Sequence, residues 1–179
     1  RSLFQRLEAP TSFHRVVVDG PRQHSLTEAK TPQLKVGEVL IKVAYVGVCP
    51  KDSKTINGAS TGPSEATPPL IPGHEYSGVV VEVGVNAGGL RKGDIVAGHA
   101  APEAAPLLGS YADHMVVPAR YLYRLPIDIP LRHGALLDTV AACVKVLVKL
   151  PAQQGQKVCV VGAGSVGNIC AQILWMQGL

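Results

Sequence analysis

A mixed fold is predicted, a β-barrel or sandwich followed by the opening of an α/β unit. Three observations predict it. Residues 1–130 carry short apolar runs separated by Gly- and Pro-rich turns. After Pro130 the pattern changes to a long apolar run without proline, which reads as helix. An apolar stretch at 157–161 then runs directly into a glycine-rich turn. Composition agrees. The 179 residues are 46% hydrophobic and only 17% charged, which excludes a disordered chain. Aromatics make up 4%, so the core is aliphatic, and 19 Gly with 14 Pro are too many for a helical bundle. The length suits one domain, or one domain and part of another.

Each element has a local reason. Residues 13–19 form a short β-rich run that stops at Gly20-Pro21. Residues 38–47 (EVLIKVAYVG) alternate and then become apolar, as a strand entering a core does. A proline-rich loop covers 57–72. Strands follow at 78–84 (GVVVEVG) and 93–98 (GDIVAG), then an Ala/Pro-rich loop at 99–109. Residues 110–118 (SYADHMVVP) alternate again, and 121–125 add a last short strand. Residues 132–150 read as one long, mostly buried helix ended by Pro151. After a polar turn, 157–161 (KVCVV) read as a strand buried on both faces of a parallel sheet, and 168–177 as a helix. The expected organisation is a barrel domain at 1–130, a connecting helix at 131–151, and the first βα unit of a second domain at 152–179.

Charge and cysteine usage exclude several function classes. The net charge is +4 and the pI near 9.0, yet Lys and Arg are scattered and few aromatics are present to stack bases. Nucleic-acid binding is therefore not expected. No apolar run reaches the roughly 20 residues of a membrane span. The longest, 135–150, is interrupted by Asp138, Lys145 and Lys149. No secretory leader is apparent, and a chain that does not start with Met is expected to be processed or excised. Cys49, Cys143, Cys159 and Cys170 show no paired spacing. Three of them sit in apolar stretches and read as reduced, so the expected compartment is the cytoplasm.

Gly162-Ala163-Gly164-Ser165-Val166-Gly167 is a G-x-G-x-x-G turn between a predicted strand and a predicted helix. That context is what a dinucleotide site needs. Gly162 permits the tight turn, Gly164 lets backbone approach a pyrophosphate, and Gly167 lets helix and strand pack closely. The helix N-terminus, with Ser165 and Val166, then presents N–H groups to the phosphates. The acidic residue that would read the ribose lies about 20 residues on, past Leu179. NAD and NADP are therefore not separable, and the 179 residues alone are expected to bind a nicotinamide cofactor weakly or not at all.

A second constellation carries metal chemistry. Cys49 ends the strongest early strand, followed by Lys51 and Asp52. His74 and Glu75 sit between a loop and a Val-rich strand, and Asp138 lies early in the long helix. A thiolate, an imidazole and a carboxylate suit Zn²⁺. The spacing alone decides nothing, because catalytic ligands come from the ends of separate elements.

The ordered series G-V-C-x-x-D, G-H-E-x-x-G, G-D-x-V, SYADHMVVP and G-x-G-x-x-G resembles the zinc-dependent medium-chain dehydrogenase/reductase family, over residues 13–179. The resemblance implies a GroES-like β-barrel catalytic domain followed by a Rossmann domain. It implies an oxidoreductase that passes hydride from a zinc-polarised alcohol to NAD or NADP, acting on a small alcohol, polyol or carbonyl compound, with homo-oligomerisation allowed. Carried over residue by residue, Cys49 and His74 match the first two zinc ligands. Glu75 matches the acidic residue that approaches or ligates the metal. Asp138 falls where relatives place a Glu or a Cys ligand, and Asp52 matches the Asp that orients the site.

Three departures from the family pattern stand out. Lys51 occupies the place of a Ser or Thr that relays the substrate proton, so it either faces solvent or steadies an anion. The stretch 99–109 lacks the four cysteines of a structural zinc lobe, so one catalytic zinc and no structural zinc is expected. Residues 49–54 (CPKDSK) also resemble the N-P-x-D-x-K segment of zinc-free quinone and enoyl reductases, with Cys49 in place of Asn. The His74-Glu75 pair favours the zinc branch. A non-catalytic fragment is the remaining alternative. His14, His24, His99 and His114 read as surface or structural residues, and His133 as a cap of the long helix.

Overall fold

The computed structural model describes residues 7–58, 69–99, 109–150 and 152–179. Most of the two expected loops, 59–68 and 100–108, lies outside the described residues. So do Pro151 and the stretch on which the absence of a structural zinc lobe was expected. The chain divides into two compact units, Arg1–Ala135 and Leu136–Leu179.

The first unit is built on antiparallel strands. β1 (Ser12–Gly20) and β2 (Gln23–Lys30) form a hairpin. β2 is absent from the sequence reading because QHSLTEAK has no apolar alternation. It pairs with β1 alone, and most of its residues stay exposed. β3 (Glu38–Gly47), β4 (Glu75–Val83), β5 (Ile95–His99), β6 (His114–Pro118) and β7 (Leu122–Arg124) form a five-stranded sheet in the order β6-β3-β4-β5-β7. The hairpin is tied to the chain before β6 by Val16 N–H to the Tyr111 carbonyl at 2.8 Å and Asp113 N–H to the His14 carbonyl at 2.9 Å.

The core is aliphatic, as composition requires. Val39, Ile41, Val80, Val96, Met115 and Val117 pack on one face of the sheet around Tyr76. Leu40, Val81 and Val116 bury the other face under Leu7 and Leu34. Both faces are covered, so the strands read as continuous apolar runs instead of clean alternation. α1 (Pro50–Ile56) follows β3, and a 3-10 turn at Ala119–Tyr121 links β6 to β7. The strand expected at 78–84 begins earlier, at Glu75, while the one expected at 110–118 begins later, at His114.

The single helix expected at 132–150 is two helices. α2 (Leu131–Gly134) belongs to the first unit and α3 (Leu137–Val148) to the second. The Ser77 hydroxyl donates to the Leu131 carbonyl at 2.5 Å, fixing α2 to β4. At Leu136 the backbone leaves helical geometry, with φ −92 and ψ 1. α3 is not the mostly buried helix expected. Cys143 is its one buried residue, and Val144, Val146 and Val148 are exposed. His133 lies within α2 and caps no long helix.

In the second unit, 157–161 forms no strand, and Val161 is 95% exposed. A strand exists only through hydrogen bonds to a neighbour, and none of the described strands lies in this unit. α4 (Ser165–Met176) follows the glycine turn and buries Cys170 and Leu174. At Gly167 a Cβ would run into the Gly162 carbonyl oxygen, which explains the third glycine of the motif.

A candidate metal centre

The site is assembled by the pairing of β3 with β4. Irregularities between Leu40 and Ile41 and between Val43 and Tyr45 offset one another, after which Gly47 faces Glu75 at the end of the ladder. Beyond Gly47 the chain turns into α1 with Cys49 as N-cap and Pro50 in the first turn, where a missing N–H costs nothing. Asp52 completes a capping arrangement by accepting the Cys49 N–H on Oδ2 at 2.9 Å.

Asp52 also reaches the other strand's approach. Its Oδ1 accepts the Gly73 N–H at 3.2 Å and lies 3.3 Å from His74 Nδ1. The Tyr111 hydroxyl donates to Oδ2 at 3.4 Å. One carboxylate, 3% exposed, thus fixes the backbone beside both Cys49 and His74 and orients the imidazole. Burial pushes the Asp52 carboxyl up. The hydrogen bond from His74, those from Cys49 N–H and Gly73 N–H, and the His74 charge outweigh this and hold it below the ordinary carboxylate value. Burial, together with the charge and hydrogen bond of Asp52, pushes the Tyr111 phenol up to about 12, so it stays a donor.

With Nδ1–H turned to Asp52, His74 presents Nε2 on the side of Glu75, 3.9 Å from Oε1. The ligating atoms of Cys49, His74 and Glu75 all lie within 4.8 Å of one another. Of the residues singled out in the sequence, these three are brought together, and Asp52 stands behind His74. Lys51 is exposed on the first turn of α1. Asp138 opens α3 of the second unit, half-buried. Gly162, Gly164, Ser165 and Val166 are exposed on the turn before and at the start of α4, with Gly167 partly covered.

Two participants were not singled out from sequence. Tyr111 stands in the SYADHMVVP block, where its hydroxyl looks like any exposed-face polar group until Asp52 arrives beneath it. Gly47 is the other. A Cβ there would strike the Glu75 carboxylate and come within 2.9 Å of the Glu75 Cβ. Gly47→Ala is therefore expected to cost about 1–3 kcal/mol of stability, read from a urea melt. It should also weaken metal binding by displacing Glu75. An unchanged melt and unchanged zinc affinity would show that Glu75 has room to move.

The other histidines lie elsewhere. His14 pairs with Asp113 at 3.3 Å on the surface. His99 meets the Tyr121 ring edge-on at 5.3 Å. His114 Nδ1 is buried without a hydrogen-bond partner, and burial lowers its pKa. All four cysteines are free thiols, and no helix among the described residues is long and apolar enough to cross a membrane.

The family described as alcohol dehydrogenase GroES-like domain matches residues 35–127. D-xylulose reductase A of Aspergillus niger is 28% identical over 185 residues, covering 90% of this chain and 52% of that protein. The crystal structure of a thermostable alcohol dehydrogenase from Pyrobaculum aerophilum superposes with a TM-score of 0.80 at 29% identity, covering 93% of this chain and 57% of that one. Galactitol-1-phosphate dehydrogenase from Escherichia coli shares the fold, with a TM-score of 0.80 at 24% identity over 92% of this chain and 53% of that one. The chain spans about half the length of the curated relatives it matches. With the GroES-like match covering β3 to β7 and both arms of the Cys49–His74–Glu75 cluster, the chain belongs to the alcohol dehydrogenase GroES-like family of the medium-chain dehydrogenases/reductases.

Proposed function

We propose that this chain carries the catalytic metal centre of a zinc-dependent alcohol or polyol dehydrogenase that uses NAD or NADP. The observation that carries the reading is the convergence of Cys49, His74 and Glu75 within 4.8 Å. A thiol, an imidazole and a carboxylate fit a three-ligand catalytic zinc site that keeps a position open for substrate or water. The pairing of Asp52 with His74 is the outer-shell contact such ligands need. Bound there, zinc would supply Lewis-acid polarisation of an alcohol oxygen, and the nicotinamide would take the hydride.

The chain's own residues have separate tasks. Cys49 and Glu75 supply the negative charge that holds a dication. Asp52 keeps the proton of His74 on Nδ1, leaving Nε2 to donate its lone pair. Lys51 offers a positive charge two residues from Cys49, for an anionic substrate or a developing alkoxide. Gly162, Gly164, Ser165, Val166 and Gly167 are proposed to cradle the pyrophosphate, with the first N–H groups of α4 facing it. One catalytic zinc and no structural zinc complete the reading. The names of the relatives point to a small polyol or alcohol as substrate class. The four free thiols support a cytoplasmic location.

Cobalt(II) substitution tests the centre without relying on turnover. A thiolate-to-cobalt charge-transfer band at one equivalent of metal is expected, with d–d bands that shift when a polyol is added. A chain that takes up no cobalt or zinc overturns the proposal.

A further inference from the structure

The two arms of the metal centre come from separate stretches of chain, and a third stretch lies against both. This is 109–111, which precedes β6 and supplies none of the candidate ligands. Its backbone runs beside the approach to His74. Ser110 N–H donates to the Gly73 carbonyl at 3.2 Å, and Tyr111 N–H to the Pro72 carbonyl at 3.1 Å. The Tyr111 side chain then touches each arm. Its ring lies over Gly73, where a Cβ would come within 2.6 Å of the ring's Cδ1 and 3.0 Å of Cε1. Its hydroxyl donates to Asp52 Oδ2 at 3.4 Å, the oxygen that also accepts the Cys49 N–H. Gly73 is the residue before His74, and its own N–H goes to Oδ1 of the same carboxylate. Tyr111 is anchored from behind, since its carbonyl accepts the Val16 N–H of β1 at 2.8 Å.

We propose that Tyr111 is a positioning residue of the metal centre, fixing Asp52 and the Gly73 turn in one arrangement so that Cys49 and His74 are held in ligating positions. The inference rests on the zinc reading of the Cys49–His74–Glu75 cluster. Tyr111 ligates nothing and acts through its neighbours. The terminal torsion of an aspartate is broad, so a single donor on Oδ2 leaves the carboxylate room to rotate. A second donor on the same oxygen narrows that range, and Oδ1 then stays on the Gly73 N–H and on His74 Nδ1. The ring works on the other arm, filling the space into which the Gly73 turn would otherwise relax. Both effects order groups that the fold has already brought together. They therefore bear on metal affinity and ligand geometry more than on global stability. At 3.4 Å the hydroxyl contact is long for a bond between oxygens. Its loss should accordingly fall at the low end of what removing an outer-shell partner costs, about tenfold in metal affinity.

The test is a double-mutant cycle on the 179-residue chain, with wild type, Tyr111→Phe, Asp52→Asn and the double variant. Zinc affinity is read by competition with a chromogenic chelator, beside the cobalt(II) spectrum and a thermal melt. Tyr111→Phe should bind zinc about tenfold more weakly and shift the cobalt d–d bands, with its melt close to that of the wild type. In the Asp52→Asn background the same substitution should change zinc affinity by no more than about twofold, because its route through the carboxylate is already broken. In the metal-free Tyr111→Phe chain the Cys49 and Gly73 amides should exchange faster than in the wild type. If a chain carrying Asp52→Asn fails to fold, this exchange and the affinity of Tyr111→Phe decide. Zinc affinity and cobalt bands unchanged in Tyr111→Phe overturn the proposal and leave the zinc reading standing. So does a loss that persists undiminished in the Asp52→Asn background. A wild-type chain that takes up no metal overturns the zinc reading and this proposal with it.

Discussion

Cys49→Ser is expected to lower zinc affinity by on the order of 100-fold or more while leaving the fold intact. The reason is the donor atom. A thiol loses its proton to become a soft anionic ligand near neutral pH, whereas a serine hydroxyl stays protonated and binds zinc poorly. Stability should hardly move. Cys49 acts in the fold as an N-cap whose backbone N–H goes to Asp52, and serine keeps that N–H and is itself a preferred N-cap. Zinc content after dialysis, read beside a thermal melt, separates the two effects. Full zinc retention in the variant would remove Cys49 from the ligand set and with it the proposed function.

Asp52 carries the second large effect, and here stability and metal binding change together. Asp52→Ala would strand the Cys49 N–H, the Gly73 N–H and the Tyr111 hydroxyl around an empty, buried space. Leaving buried partners of a charged group unsatisfied costs about 3–5 kcal/mol. Asp52→Asn keeps the shape but turns an NH₂ toward donors, so it should lose less stability. It should still weaken zinc binding about 10–100-fold, through misorientation of His74. The pH dependence has a definite sign. The folded Asp52 is held below its unfolded value, so its ionised form favours the folded state. This contribution is fully present above the unfolded carboxyl pKa of about 3.9 and is lost as pH falls through the lower folded value. Urea melts from neutral to acid pH should therefore show a steep acid limb in the wild type and a shallower one in Asp52→Asn. Parallel acid limbs would mean that another carboxylate carries the dependence.

Much of this architecture is local and could be read along the chain. The Val-rich strands, the proline after Cys49, the glycines before α4 and the aliphatic core all follow from short patterns. The misreadings share one cause. β2 is polar because it needs only a hydrogen-bonded neighbour, not a buried face. The helix at 132–150 divides because Ser77, a residue of β4, fixes α2 to the sheet. The run 157–161 is apolar but forms no strand because strand formation depends on residues elsewhere.

The metal centre divides in the same way. Residue types marked a thiol, an imidazole and a carboxylate as possible donors, and the family resemblance singled out Cys49, His74 and Glu75 among them with Asp52 as their companion. Their meeting could not be read from spacing. It depends on the β3–β4 register that sets Gly47 opposite Glu75, on a glycine that leaves room for that carboxylate, and on Asp52 holding two distant backbone segments at once. Donor identity is a property of single residues. Convergence within 4.8 Å is a property of strand register and close packing, which exist only once the chain has folded.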